Sequence, residues 1–218
     1  MTGKYQASTD LGKGVLTVQG STDFYMAKFT AAGTTLWSRS FGGSFPDASV
    51  GVTVDRAGDV LVLGYFSQAI DLGGGTLRTA STDYDVFLAK YSAADGGYRW
   101  ARAFAGPGYE MPHALSTDAD GNVAITGYFQ YTINLGGSLL SSAAVGATDI
   151  YVGKFSPTGA HLWSARHGGA GSDDGVAITA DTTGRVVVTG TFSGVADLGG
   201  QSMTSAGSTD AFVLRLDP

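Results

Sequence analysis

The chain has no cysteine, five prolines and a single glutamate, Glu110, in 218 residues. Without cysteine there are no disulfides, no thiolate nucleophile and no thiolate metal ligand. The other acidic residues are all aspartate. Aspartate suits turns, where its carboxylate bonds nearby backbone, whereas long surface helices favour glutamate. No apolar run reaches the roughly 18–20 residues of a membrane-spanning helix. Lysine and arginine are scattered, and the formal net charge is −6. Binding to nucleic acid or to a membrane surface is therefore not expected. The opening, MTGKYQASTD, has neither the form of a signal peptide nor that of an obvious repeat start, and residues 1–9 read as a frayed lead-in.

Catalytic signatures are missing too. The three histidines, His113, His161 and His167, form no HxH or HExxH pattern. There is no GxSxG or Walker motif, and glycine runs such as Gly73-Gly74-Gly75 open no helix, so no phosphate cradle is expected. No cofactor, no metal and no catalytic residue is assigned.

What the chain has in quantity is glycine, 34 residues, roughly twice the usual share of about 7%. Most glycines punctuate a repeat. An aspartate heads a short strand at Asp23, Asp85, Asp149 and Asp210, with a basic residue near each strand's end at Lys28, Lys90, Lys154 and Arg215. A turn follows, then a strand carrying Trp37, Trp100 or Trp163, which are 63 residues apart. Next comes a hairpin whose turn reads Asp-x-x-Gly, as in Asp55–Gly58, Asp118–Gly121 and Asp181–Gly184. Its second strand reads VLVLGYF, VAITGYF or VVVTGTF, with Gly64, Gly127 and Gly190 at one point, which predicts a bulge or a close backbone approach.

In Asp85–Tyr91 the residues of both strand faces are apolar, so both faces must be covered. Short antiparallel hairpins on a long fixed period, covered on both sides, predict an all-β protein of the β-propeller type with four-stranded antiparallel blades of about 62–63 residues. With the hairpin named A and B, the Asp-headed strand C and the Trp strand D, the order reads CD, ABCD, ABCD, ABC, about three and a quarter blades. The boundaries are a partial blade at 10–48, repeats at 49–111 and 112–174, and a partial blade at 175–218, all within one domain over 1–218. A recurring Asp/Asn-Leu-Gly at 10, 71, 134 and 197 opens the B-to-C connection and predicts an extra short strand or a long rim loop. A propeller typically closes with 4–8 blades. Two chains joined end to end would give about six blades if the ends merge, or about eight if they do not. Self-association is thus expected, with a homodimer favoured.

The motif order, D-x-F-V-A-K, a Trp strand, GG-x-G-x-D, A-x-D-x-x-G-N-V-x-V-T-G-x-F and D-L-G-G, clearest over Asp149–Phe192, resembles the bacterial β-propeller repeats of the SBBP type. The resemblance covers nearly all of the chain after Thr9. It implies a binding or scaffolding role in a secreted or surface-attached bacterial protein, and it supplies no catalytic residues.

Ligand-binding candidates lie in the glycine-rich D-to-A links, which vary most between copies. They are Asp47, Tyr109, Glu110, Asp173 and Asp174, with Glu110 read as having no counterpart in the other repeats. Two alternatives stand beside a protein- or glycan-binding module. One is a polysaccharide hydrolase or lyase, which requires Asp47, Glu110 and Asp173 to share a pocket. The other is a purely structural self-assembling unit. Asp118-Ala-Asp120-Gly121-Asn122 resembles half of a calcium loop but lacks its bidentate acid, and reads as a hairpin turn.

Overall fold

A computed structural model describes residues 1–217. Every regular element among them is a β-strand. The chain opens with β1 (Thr2–Tyr5), the small hairpin β2 and β3 (Thr9–Asp10, Val15–Leu16), β4 (Asp23–Phe29) and β5 (Thr35–Phe41). The second repeat holds β6 (Ala48–Val54), β7 (Val60–Ser67), the hairpin β8 and β9 (Ala69–Asp71, Thr76–Arg78), β10 (Tyr84–Tyr91) and β11 (Tyr98–Phe104). The third holds β12 (Glu110–Thr117), β13 (Val123–Gln130), β14 and β15 (Thr132–Ile133, Leu140–Ser141), β16 (Thr148–Phe155) and β17 (His161–Gly169). The last holds β18 (Asp174–Ala180), β19 (Val186–Phe192), β20 and β21 (Val195–Asp197, Ser202–Thr204) and β22 (Asp210–Leu216).

The all-β, β-propeller-like fold expected from the repeat is observed. The antiparallel blades are β1-β4-β5, β6-β7-β10-β11, β12-β13-β16-β17 and β18-β19-β22. Each B-to-C connection folds back as a two-stranded hairpin, the extra element that the Asp/Asn-Leu-Gly segment predicted. In the third repeat and after it, this hairpin continues the previous D strand: Gly168 and Gly169 of β17 pair with Asp197 and Ala196 of β20. The pairing covers what would otherwise be an exposed sheet edge.

The strand order corrects the sequence reading at the N-terminus. Residues 2–5 are not a frayed lead-in but the B strand of the first blade, with Gly3 opposite Tyr25 as Gly64 is opposite Phe87. The order is BCD, ABCD, ABCD, ABC. The first and last blades hold three strands each among the described residues.

The chain divides into two compact units, Met1–Ala103 and Phe104–Pro218. In the first, apolar residues of the facing blades interlock. Phe24 stacks on Phe41 at 5.3 Å and on Phe87 at 5.1 Å, and Phe41 packs on Tyr91 at 4.9 Å, with Trp37, Val62 and Phe66 around them. In the second, Ile150, Val152, Val188, Phe192 and Phe212 form the equivalent core. Burying each such side chain contributes about 1.5–3 kcal/mol, which is why both faces of the C strands are apolar.

The strand glycines have a steric reason. The A strands carry a bulge, with register shifts between Ser49 and Gly51, between Pro112 and Ala114, and between Gly175 and Ala177. Opposite each bulge a Cβ on Gly64, Gly127 or Gly190 would overlap the carbonyl oxygen of Ala48, Met111 or Asp174. The bulge and the close approach are therefore one feature, with the bulge on the partner strand.

Candidate functional site

The link acids are buried and structural. Asp47, Glu110 and Asp173 are each 0% exposed. Each accepts the backbone N–H four residues earlier: Gly43 to Asp47 at 2.6 Å, Gly106 to Glu110 at 3.0 Å and Gly169 to Asp173 at 2.6 Å. The three acids are 63 residues apart. Glu110 therefore does have repeat counterparts, contrary to the sequence reading. Each acid clamps a tight link whose glycine N–H points inward, because a Cβ on Gly43, Gly106 or Gly169 would overlap the first carbonyl of the following hairpin.

Asp47 and Asp173 lie beside Asp23 and Asp149, the aspartates that head the C strands of their own units. Asp23 accepts the Gln19 N–H at 2.6 Å, and Asp149 accepts the Ala143 N–H at 2.6 Å. In the second unit, Gly168 separates the two carboxylates: a Cβ there would sit 2.6 Å from Asp149 and 2.7 Å from Asp173. Arg166 offsets this charge, with Nη1 2.9 Å from Asp149 Oδ2. In the first unit the equivalent position is Ser40, as the pairings Tyr25–Ser40 and Tyr151–Arg166 show. Burial, reinforced by the Asp23 charge, pushes the Asp47 carboxyl up to about 7, and burial also raises Asp23. Asp173 is raised by burial as well, with the Asp149 charge raising it further and Arg166 opposing the shift. Fully enclosed acids committed to backbone donors are poorly placed to act on a polysaccharide.

The other two candidates, Tyr109 and Asp174, lie in the second unit, and the charge of each acts on Tyr128. His113 is the bulged residue of β12, equivalent to Val50 and Val176. A bulge re-aims its side chain; here Nδ1 lies 2.9 Å from Asp174 Oδ1 and the ring meets Tyr128 edge-on at 5.7 Å. The Asp174 carboxylate raises the His113 pKa against the opposing effect of burial. Tyr109, 44% exposed, is tied through its carbonyl to the Gln130 N–H at 3.0 Å.

Sequence reasoning missed Tyr131, which is 43% exposed and lies against Gly108, where a Cβ would sit 2.8 Å from its ring. Its φ is 59°, in the left-handed region. The equivalent positions, each accepting the N–H eleven residues on, are Gln68 and Gly194. Glycine adopts that conformation without steric penalty, whereas a bulky aromatic does not. The alignment of Tyr131 with Gly194 was the available signal.

Remaining candidates resolve into structure. Asp118 Oδ1 accepts N–H bonds from Asp120 and Asn122, and Oδ2 accepts from Lys154 Nζ and Asn122 Nδ2, each at 2.9 Å. Its carboxyl sits below the usual range although burial opposes this, because Lys154 and Asn122 stabilise the anion. That turn is a clamp. His167 takes the buried place of Phe41 opposite the C strand, Ile150–His167 matching Phe24–Phe41, and burial lowers its pKa. Trp37 lies in the core between blades.

No protein-family model matches the chain. The chain is 25% identical over 174 residues to an uncharacterized WD repeat-containing protein, L264, of Acanthamoeba polyphaga mimivirus. The match takes in 72% of this chain and 12% of that protein, so the chain spans about an eighth of its relative's length. The similarity agrees with a repeat protein of the β-propeller type. The relative is viral, so it lends nothing to the bacterial, surface-attached setting that the SBBP resemblance implied.

Proposed function

We propose that this chain is a non-enzymatic binding module on a β-propeller-like scaffold. It recognises a polypeptide or glycan through the rim patch of Tyr109, Tyr131 and the His113–Asp174 pair. The observation that carries this reading is Tyr131: an exposed aromatic held in a left-handed conformation where a sister repeat has glycine. Such strain persists where a side chain is needed in one place. Neighbouring tyrosines offer rigid amphipathic surface for aromatic stacking and hydrogen bonds. Buried Glu110, which accepts the Gly106 N–H, holds the link that carries Tyr109.

The test is a screen of immobilised peptides and glycans with the wild-type chain and with Tyr131→Gly. A partner captured by the wild type and lost with the variant, while the variant is at least as stable, is expected. Equal capture by both proteins would overturn the patch as the binding surface.

Self-association is the second reading. Val213 on β22 is 78% exposed, an apolar side chain that a second copy would cover. Light scattering should give twice the 22.3 kDa chain mass; a monomer at high concentration would contradict it.

A further inference from the structure

The four B-to-C hairpins share one opening, Asp/Asn-Leu-Gly, but not one turn. In three of them the glycine N–H stays within its own turn. Gly12 donates to Asp10 Oδ1 at 2.7 Å, Gly73 to Asp71 Oδ1 at 2.8 Å and Gly136 to Asn134 Oδ1 at 2.7 Å. This is the Asx turn that a short polar side chain makes with the backbone just ahead of it. In the fourth hairpin, Gly199 donates instead to His167 of β17, with its nitrogen 3.3 Å from Nδ1, and Asp197 Oδ1 accepts from Gly200 at 2.7 Å. The backbone differs accordingly. The left-handed residues are Gly73 and Gly75 in the second hairpin but the adjacent Gly199 and Gly200 in the fourth. Asp197-Leu198-Gly199 repeats Asp71-Leu72-Gly73, so this opening is compatible with both turns.

The difference comes from the strand beside the turn. Gly42 bridges Asp71 as Gly168 pairs with Asp197, so Phe41 and His167 hold matching places next to their hairpins. Phe41 lies against Gly73, with Cε1 3.8 Å from where a Cβ would stand, and a phenyl ring offers no nitrogen to accept a bond. His167 is buried in the same place, 7% exposed, and offers Nδ1. To accept there, Nδ1 must be unprotonated, so the neutral ring carries its proton on Nε2. A second proton would set a ring N–H against the Gly199 N–H.

The surroundings favour the neutral ring. Burial is the largest influence and lowers the His167 pKa. Arg166 on the same strand, paired with Asp149 at the head of β16, lowers it further, and Asp197 on β20 opposes both. Opposite His167 on β16 stands Ile150, and β22 sets Leu214 against Gly199; both are apolar.

We propose that His167 is an acid-released latch on the hairpin β20–β21. The neutral ring holds the Gly199 N–H; protonation returns that N–H to Asp197, restores the Asx turn of the other three copies and frees the hairpin tip from β17. The released ring titrates near the ordinary value of about 6.5, and the latched ring takes up its proton only at lower pH. The latch is therefore fully closed above about pH 6.5. Below that value the ratio of latched to released turn falls by up to about tenfold per pH unit, until the latched ring is itself protonated.

The test follows the Gly199 and Gly200 amides and the His167 ring nitrogens of the whole chain by NMR between about pH 8 and about pH 5. The two amide resonances should titrate together with the ring, with one midpoint below about 6.5. His167→Phe, which places the residue of the second hairpin here, should show already at neutral pH the amide shifts that the wild type reaches only in acid, and should not titrate. His167→Gln, which keeps an acceptor but takes no proton, should stay in the latched turn throughout. The Val152 and Val188 amides of β16 and β19 should keep their protection from hydrogen exchange over the whole range. Glycine amides that ignore the ring's titration, a His167→Gln chain that titrates like the wild type, or a His167→Phe chain with the wild-type shifts at neutral pH would each overturn the proposal. So would loss of Val152 and Val188 protection at the same midpoint, because the blade would then be unfolding as a whole.

Discussion

The first and second blades are built from the same repeat, yet among the described residues only the second includes its A strand. Comparing them separates what a repeat position does for its own strand from what it does for the neighbour. Gly64 in the second blade is trapped between the Ala48 carbonyl and the Phe87 ring. Gly3, its counterpart, faces only the far end of Tyr25, whose hydroxyl would be 2.8 Å from a new Cβ. The glycine is therefore demanded by the bulged A strand and not by the B strand that carries it. Lys90 likewise needs Asp55 because both are buried, whereas Lys28 donates to the Ala93 carbonyl and, among the described residues, makes no ion pair.

This difference is sharpest under substitution. Lys90→Met strands Asp55 in a nearly closed site and should lower unfolding stability by about 3–5 kcal/mol, read by urea denaturation. Lys28→Met loses a single hydrogen bond to a carbonyl and should lower it by about 1 kcal/mol or less. Equal losses would mean that the two lysines share one environment. Gly64→Ala should cost about 3 kcal/mol through overpacking, while Gly3→Ala should cost under about 1 kcal/mol because Tyr25 can turn aside.

A second contrast concerns charge. The Asp149–Asp173 pair has Arg166 beside it, whereas the Asp23–Asp47 pair has Ser40 at that place. Asp47 is protonated in the folded chain up to about pH 7 and ionised above about 4 when unfolded. Between those values the folded state holds the extra proton, so this contribution is complete below about pH 4 and lost as pH rises through about 7. Asp47→Asn should remove a few kcal/mol of that pH dependence, visible as a flatter plot of stability against pH. The smallest effect expected is a gain: Tyr131→Gly should stabilise by about 1 kcal/mol by relieving the left-handed tyrosine, measured by the same denaturation.

Much of this architecture was legible because β-blades repeat their chemistry. The Asp-headed strands, the Asp-x-x-Gly turns and the Leu-anchored hairpins recur at nearly constant spacing, and each marks an element that the structure contains. The strand at Thr2–Tyr5 was missed because Lys4 interrupts the apolar pattern, although Thr-Gly-x-aromatic matches TGYF and TGTF. The shared role of Asp47, Glu110 and Asp173 was obscured by differing link sequences and by glutamate standing in for aspartate. His113 could not be placed from the sequence, since a bulge is a property of pairing between two strands and leaves no mark in one of them. The left-handed Tyr131 shows only when it is aligned with Gly194.

Amide hydrogen exchange across β1 and β7 tests the contrast between the first two blades most directly. The Gly3 and Tyr5 amides should be protected through β4, and the Lys4 amide between them should exchange rapidly. The corresponding Gly64, Tyr65 and Phe66 amides should all be protected. Protection of Lys4 equal to that of Gly3 and Tyr5, or uniform rapid exchange along β1, would contradict a first blade that is paired on one side and open on the other.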